Sequence, residues 1–188
     1  MTKILETTAL PGYAPEIGRW LWALEDTRQR TLQSLEGMEP AAIDWTDSPE
    51  SDTIGTLLYH IAAIEVDWLY ADILEQGFPP EVKALFPYDV RDEQGRLKPV
   101  QGLGLEEYLD RLAATRALLL ASFRGITVQE YRRLRFLAGY DVTPEWVLHH
   151  LMQHEAEHRG QLGQGHGADR KQGLTPEARV ASLKQPGQ

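Results

Sequence analysis

Four stretches of about twenty residues repeat their apolar side chains every three to four positions, and glycine or proline closes most of them. That period belongs to helices with one buried face, and nothing between the stretches alternates as a strand would. The first stretch runs from Pro15 to about Leu35, with Ile17, Trp20, Leu21, Leu24, Leu32 and Leu35 as its stripe. Gly37 and Pro40 end it. The second runs from Ser51 or Asp52 to Gln76, with Ser51, Asp52 and Thr53 as candidate N-caps. Leu57, His60, Ile64 and Ala71 form one stripe on it, and Ile54, Leu58, Ile61 and Trp68 the next. The third covers Leu105 to Phe123 along Leu105, Leu109, Leu112, Leu119 and Phe123. Thr143-Pro144-Glu145 opens the fourth, a strong helix start, and it continues to about Gly163. Residues 77–103 are rich in proline and glycine and read as a long connection, of the kind that often carries function. The segment 126–142 stays open between a turn of helix and an extended piece. The pattern predicts an all-α four-helix bundle with a long connection between helices 2 and 3. It reads as one domain over residues 1–188, the bundle spanning about 13–165 and a polar tail 166–188.

The fourth stretch carries the chemistry. Its inner stripe is Val147, Leu151, His154 and His158, which places both histidines at expected core positions. Histidines four apart on a helix share one face, and their ring nitrogens can hold one divalent ion. His60 sits mid-helix on an apolar stripe of the second stretch. Where those two helices face each other, three imidazoles meet. A lone mid-helix histidine is more often packed than ligating, but three on inner faces bury several ring nitrogens that need partners. His150 precedes His154 by one turn and reads as a neighbour of the pair or a fourth ligand. His149 reads as surface, and His166 has no role. Glu155, a quarter turn from His154, is a candidate base or an orienting group. Glu157 reads equally as a solvated carboxylate. Gly160 admits a close neighbour, and Arg159 and Gln161 read as helix-end residues.

His154-Glu155-Ala156-Glu157-His158 also fits H-E-x-x-H, the zinc-peptidase motif. A glutamate as third ligand leaves only Glu177 downstream. The longer form with a third histidine fails, because glycine falls at Gly160 and position 164 is Gln. No upstream sheet is apparent to hold a peptide.

Composition narrows the alternatives. The chain has no cysteine, so thiolate metal sites, disulfides and a cysteine nucleophile are excluded, and any metal takes nitrogen and oxygen ligands. A formal net charge of -9 disfavours nucleic acid as a partner. No apolar run reaches membrane-spanning length, and the first residues lack the apolar core of a secretion signal. The expected location is the cytoplasm.

Two segments resemble the DinB/YfiT-like superfamily of metal-binding four-helix bundles. They are Thr53 to Glu65, around His60, and His150 to Leu162, with its His-x-x-x-His-Arg-Gly-Gln run. The resemblance implies His60, His154 and His158 as ligands of a divalent ion, nickel or zinc, and a homodimer. It also implies a small-molecule substrate and a low-molecular-weight thiol as cosubstrate of an S-transferase or isomerase. The alternatives are a non-catalytic metal-binding or stress-response protein, and a hydrolase with Glu155 as base. Arg28, Arg111 and Arg116 are within reach of an anionic cofactor but receive no role.

Overall fold

The computed structural model describes the backbone of residues 4–46, 48 and 51–171, and side chains as far as Leu162. The long helices are α1 (Pro15–Ser34), α2 (Ile54–Asp67), α4 (Leu105–Phe123) and α6 (Pro144–Lys171). Short helices α3 (Pro80–Ala84) and α5 (Val128–Tyr131) lie in the connections. A two-residue hairpin, β1 (Arg135–Phe136) and β2 (Asp141–Val142), pairs Arg135 with Val142 and Phe136 with Asp141. The open segment 126–142 therefore holds both a turn of helix and an extended piece. No helix among the described residues is long and apolar enough to cross a membrane. His166 lies in α6 beyond the described side chains. Residues 172–188 of the expected tail, Glu177 included, lie outside the described residues.

Capping is local and legible. The Thr53 hydroxyl accepts from the Thr56 amide at 3.1 Å, which selects it among the three candidate caps. Thr143 Oγ1 accepts from the Trp146 amide at 3.2 Å as α6 begins.

Two apolar clusters fill the bundle. One gathers Ile17, Leu21 and Leu24 of α1 with Val66 of α2, Leu119 and Phe123 of α4, and Val147, Leu148 and Leu151 of α6. The other gathers Leu35, then Ile54 to Ala62 of α2, Tyr108 and Leu112 of α4, and Leu162 of α6. The order in which each helix visits the clusters gives its direction. α1 and α6 run one way, and α2 and α4 run the other. α1 packs along α6, α2 along α4, and α2 also faces α6. Two consecutive long helices that run parallel need a connection spanning the bundle length, which explains the long stretch between α2 and α4. That stretch is tied down. Tyr59 Oη donates to the Tyr88 carbonyl at 2.9 Å, and the Val100 amide donates to Thr56 Oγ1 at 3.0 Å. Gly55 is required where α2 meets α4, since a Cβ there would lie 2.6 Å from Tyr108 Oη.

Between the two clusters lies a layer with one charge from each long helix: Arg28, Glu65, Arg116 and Glu155, all buried. Arg28 donates to Glu155 Oε1 at 2.7 Å and to Glu65 Oε2 at 3.0 Å. Arg116 donates to Glu65 Oε2 at 2.8 Å, to Glu155 Oε2 at 3.1 Å and to the half-exposed Glu25 at 2.8 Å. The remaining guanidinium protons reach the Leu112 and Leu24 carbonyls at 2.7 and 2.9 Å.

The second helix departs from the expected α-helix to Gln76. After Asp67 it becomes a π-helical turn, Trp68–Ile73, in which the Leu74 amide donates to the Leu69 carbonyl at 2.9 Å. The wider turn shifts the phase of the face. Leu69, Tyr70 and Ile73 are buried where the regular stripe expects Trp68 and Ala71; Trp68 is half-buried and Ala71 exposed. Arg135 from the hairpin closes this helix end, donating from Nε and Nη2 to the Ile73 carbonyl at 3.2 and 3.1 Å.

Burial opposes ionisation of Glu65, but Arg116 and Arg28 outweigh it and hold its carboxyl below the ordinary value of 4.5. The unfolded chain therefore takes up this proton first as pH falls. The stabilisation is complete above about pH 4.5 and is lost as pH drops through the lower folded value. Glu65→Gln is expected to destabilise the protein by about 3–5 kcal/mol at neutral pH, because it leaves two buried guanidinium groups facing one buried carboxylate. Urea unfolding at pH 7 and pH 4 checks both points: the gap between wild type and variant narrows at the lower pH.

Candidate metal centre

His60 comes from the middle of α2, and His154 and His158 come from successive turns of α6. Their Nε2 atoms converge. His154 Nε2 lies 3.1 Å from His60 Nε2 and 3.1 Å from His158 Nε2, and one ligand atom from each ring fits within a 4.8 Å span. The rings meet edge to face, with centroids 4.4 to 4.9 Å apart. His60 is buried, while His154 and His158 are half-buried and not core residues. The deepest line of α6 runs through Leu148, Leu151, Glu155 and Leu162, so the histidines sit on its shoulder.

Burial, with the charge of His158 and of Arg91, pushes the His60 pKa down to about 4. Burial and the neighbouring imidazoles push His154 down to about 3. Both rings are neutral at physiological pH and keep a lone pair. His158 Nδ1 lies 2.6 Å from Gln161 Oε1, an acceptor, so the ring proton belongs on Nδ1 and the Nε2 lone pair faces the cluster. His60 Nδ1 is buried without a hydrogen-bond partner.

This donor set fits a divalent ion. His154 Nε2 carries either one proton or one lone pair, so it cannot make good hydrogen bonds to both neighbours at 3.1 Å. A cation at the common point takes all three lone pairs. Nitrogens about 2.0–2.1 Å from a tetrahedral zinc ion lie about 3.3 Å apart, close to the contacts seen. Three nitrogens and no thiolate suit a divalent transition metal.

The other candidates fall elsewhere. His150 is outside the cluster; it stacks on Trp146 at 5.1 Å and lies 4.6 Å from Trp68. His149 packs edge-on against Trp20 at 5.8 Å. Glu157 is exposed. Glu155 points away from the histidines, with both oxygens engaged by Arg28 and Arg116. Arg28 and Arg116 are thus committed to the buried layer, and Arg111 donates to the Leu85 carbonyl at 2.6 Å. Gly160 is exposed, and a Cβ there would meet nothing within 4 Å, so no close neighbour explains it.

Three residues near the cluster escape sequence reasoning. Gln161 orients His158, and the i, i+3 spacing of the two was the available signal. Arg91, from the long connection, acts on both His60 and His154. Asp52, exposed before α2, feels His158 and Arg91. No local pattern marks Arg91 or Asp52. A cleft of about 300 Å³ opens one turn along α2 from His60, between Ala63, Ile64 and Asp67 and the connection residues Phe78, Phe86 and Arg91.

A helical bundle with three convergent imidazoles on facing helices defines the class. Residues 23–162 match the DinB superfamily, and the chain belongs to it. Its fold is similar to the crystal structure of a conserved protein from Enterococcus faecalis. The two are 18% identical, with a TM-score of 0.63 over 81% of this chain and 95% of that one, a likeness of fold alone. No curated protein matches.

Protein purified without an affinity tag is expected to carry about one equivalent of divalent transition metal, and the His154→Ala/His158→Ala double variant none, by elemental analysis. Zinc at a hundredfold excess over its dissociation constant should stabilise metal-free protein by about 2.7 kcal/mol, read as a rise in melting temperature that the double variant lacks.

Proposed function

We propose that this protein is a divalent-metal-dependent enzyme acting on a small molecule, with a low-molecular-weight thiol as cosubstrate of an S-transfer reaction. The observation that carries the reading is the convergence of three Nε2 atoms, at least two on neutral rings, one turn along α2 from the residues that line an open cleft. His60, His154 and His158 would hold the ion, zinc or nickel. When bound, it supplies Lewis acidity that raises the thiolate fraction of a cosubstrate at neutral pH.

The chain's own residues supply position and access. Gln161 fixes the His158 tautomer. The half-exposure of His154 and His158 leaves one side of the cluster accessible. The walls of the cleft, Ala63, Ile64, Phe78 and Phe86, suit an apolar electrophile, and Arg91 places a cation where an anionic group on either reactant would lie.

We assign Glu155 a positioning role. On a helix, neighbouring residues point about 100° apart, so seating Glu155 between Arg28 and Arg116 turns His154 towards His60. A hydrolase that uses Glu155 as base needs a free carboxylate beside the histidines, and this one is fully engaged.

The test is consumption of a thiol by a panel of electrophiles, with metal-loaded, chelated and His158→Ala protein. Thiol-dependent turnover that chelation and the variant abolish is the expected result. Turnover without thiol would replace this reading with the hydrolase, and no turnover with metal bound would replace it with a binding protein. Glu155→Gln should lower the melting temperature and kcat/KM while leaving the acid limb of the pH–rate profile in place, which loss of a general base would remove.

A further inference from the structure

At the junction of the π-helical turn, the hairpin and the start of α6, large aromatic side chains gather at a solvent opening. Trp68 lies 5.8 Å from Tyr140, 5.5 Å from Trp146 and 4.6 Å from His150, ring centre to ring centre. Tyr140 and Trp146 remain about half exposed, at 49% and 48%. Trp68, Tyr140 and Trp146, with Leu134, Asp141 and Thr143, line a cavity of about 390 Å³, a size suited to a small ligand.

The charge around this cavity has one sign. Asp72, only 4% exposed, sits behind the aromatic wall, and the Tyr140 hydroxyl donates to its Oδ1 at 2.7 Å. Asp141 lines the cavity itself. No lysine or arginine is among the lining residues, and no salt bridge to Asp72 is made among the described residues. Asp67, exposed on the preceding turn, feels this carboxylate: burial and then the charge of Asp72 push its carboxyl pKa up, while burial pushes Asp72 up and the Tyr140 hydrogen bond and His150 oppose that. The basic side chains of the hairpin are spent elsewhere, Arg133 and Arg135 on Glu75 and Glu130.

Buried carboxylate without a cationic partner is costly, and the cost falls if a cation arrives. Aromatic faces attract cations through their quadrupoles, most strongly when the cation sheds its water easily. A strongly hydrated ammonium or metal ion would want several direct oxygen ligands, but Asp72 stands behind the ring wall and Asp141 is the one carboxylate among the lining residues. A methylated ammonium needs none. The π-helical turn makes the arrangement, since it lets Trp68 reach the opening while Asp72 of the same turn stays buried.

We propose that this cavity binds a small organic cation of the trimethylammonium class, held by Trp68, Tyr140 and Trp146 and by the charge of Asp72 and Asp141. His150 abuts both the cavity and the histidine cluster, its ring 4.6 Å from Trp68 and 6.0 Å from His154. The cavity therefore borders the candidate metal centre but shares no residue with it, and the proposal stands independently of the S-transfer reading.

Calorimetric titration of the whole protein with choline, and with its uncharged isostere 3,3-dimethylbutan-1-ol, tests it. Choline should bind saturably and about tenfold or more tighter than the isostere. Trp146→Leu, at a half-exposed position, should weaken choline binding about tenfold with an unchanged melting temperature. Asp72→Asn should bring choline and isostere closer together. Equal binding of the two compounds, or no saturable binding of choline, would overturn the proposal. Free trimethyl-lysine and a peptide carrying it separate a small molecule from a protein tail: tighter binding of the peptide would overturn the small-molecule assignment.

Discussion

Four buried charges, one from each long helix, set the register of this bundle. Arg28, Glu65, Arg116 and Glu155 lie at one level between two apolar clusters, and both carboxylates accept hydrogen bonds from both guanidinium groups. The layer is neutral in sum, which is the condition under which burying charge is tolerable. An apolar core of similar volume would be as stable or more so. It would not, however, forbid a helix from sliding or rotating by a residue. Here, a one-turn slip of any helix would put an unpaired charge against leucine, at a cost of several kcal/mol. The layer supplies specificity of arrangement, much as a single polar residue fixes register in a coiled coil.

That specificity is what the histidine cluster uses. Three imidazoles from two helices meet at 3.1 Å contacts only when α2 and α6 hold one axial and rotational relation. Glu65 lies five residues beyond His60, and Glu155 directly follows His154, so each anchor sits within about two turns of the histidine it positions. The candidate metal centre and the ion-pair layer are adjoining parts of the same cross-section. Glu155 shows how the same side chain suggests a base in sequence and acts as an anchor in space.

The extent to which the sequence reveals this structure follows from the range of each interaction. Helix periodicity and caps are local, and Thr53, Thr143-Pro144, the four stripes and the parallel-running helices' long connection were legible from them. The histidines were legible because imidazoles on apolar stripes are chemically out of place. The charged layer was not, because a lone Arg28 or Glu65 on a helix looks like a solvated residue until the other three arrive from 37 to 127 positions away. The π-helical turn was missed for a related reason. Its register shift is fixed by packing of Leu69 and Ile73 and by Arg135 capping Ile73 from the hairpin, 62 residues on. Hence Ala71 and Trp68 moved off the core while Leu69 and Tyr70 moved in.

The electrostatics of the cluster also bear on the kind of ligand it favours. The groups that shift His60 and His154 are other imidazoles and Arg91, and no carboxylate is among them. Asp52, which feels His158, is exposed and therefore well screened. Glu155 and Glu65 are already balanced by Arg28 and Arg116. A divalent ion bound there would gain little neutralisation from its surroundings, with a cation nearby at Arg91. Such a site favours an anion at its open position over a neutral ligand, since only an anion offsets the charge. A thiol or a water that gives up its proton on binding would meet that demand. A neutral carbonyl substrate does not. Three histidines with no carboxylate in the cluster among the described residues would thus favour an anionic ligand, thiolate or hydroxide alike, at such an ion.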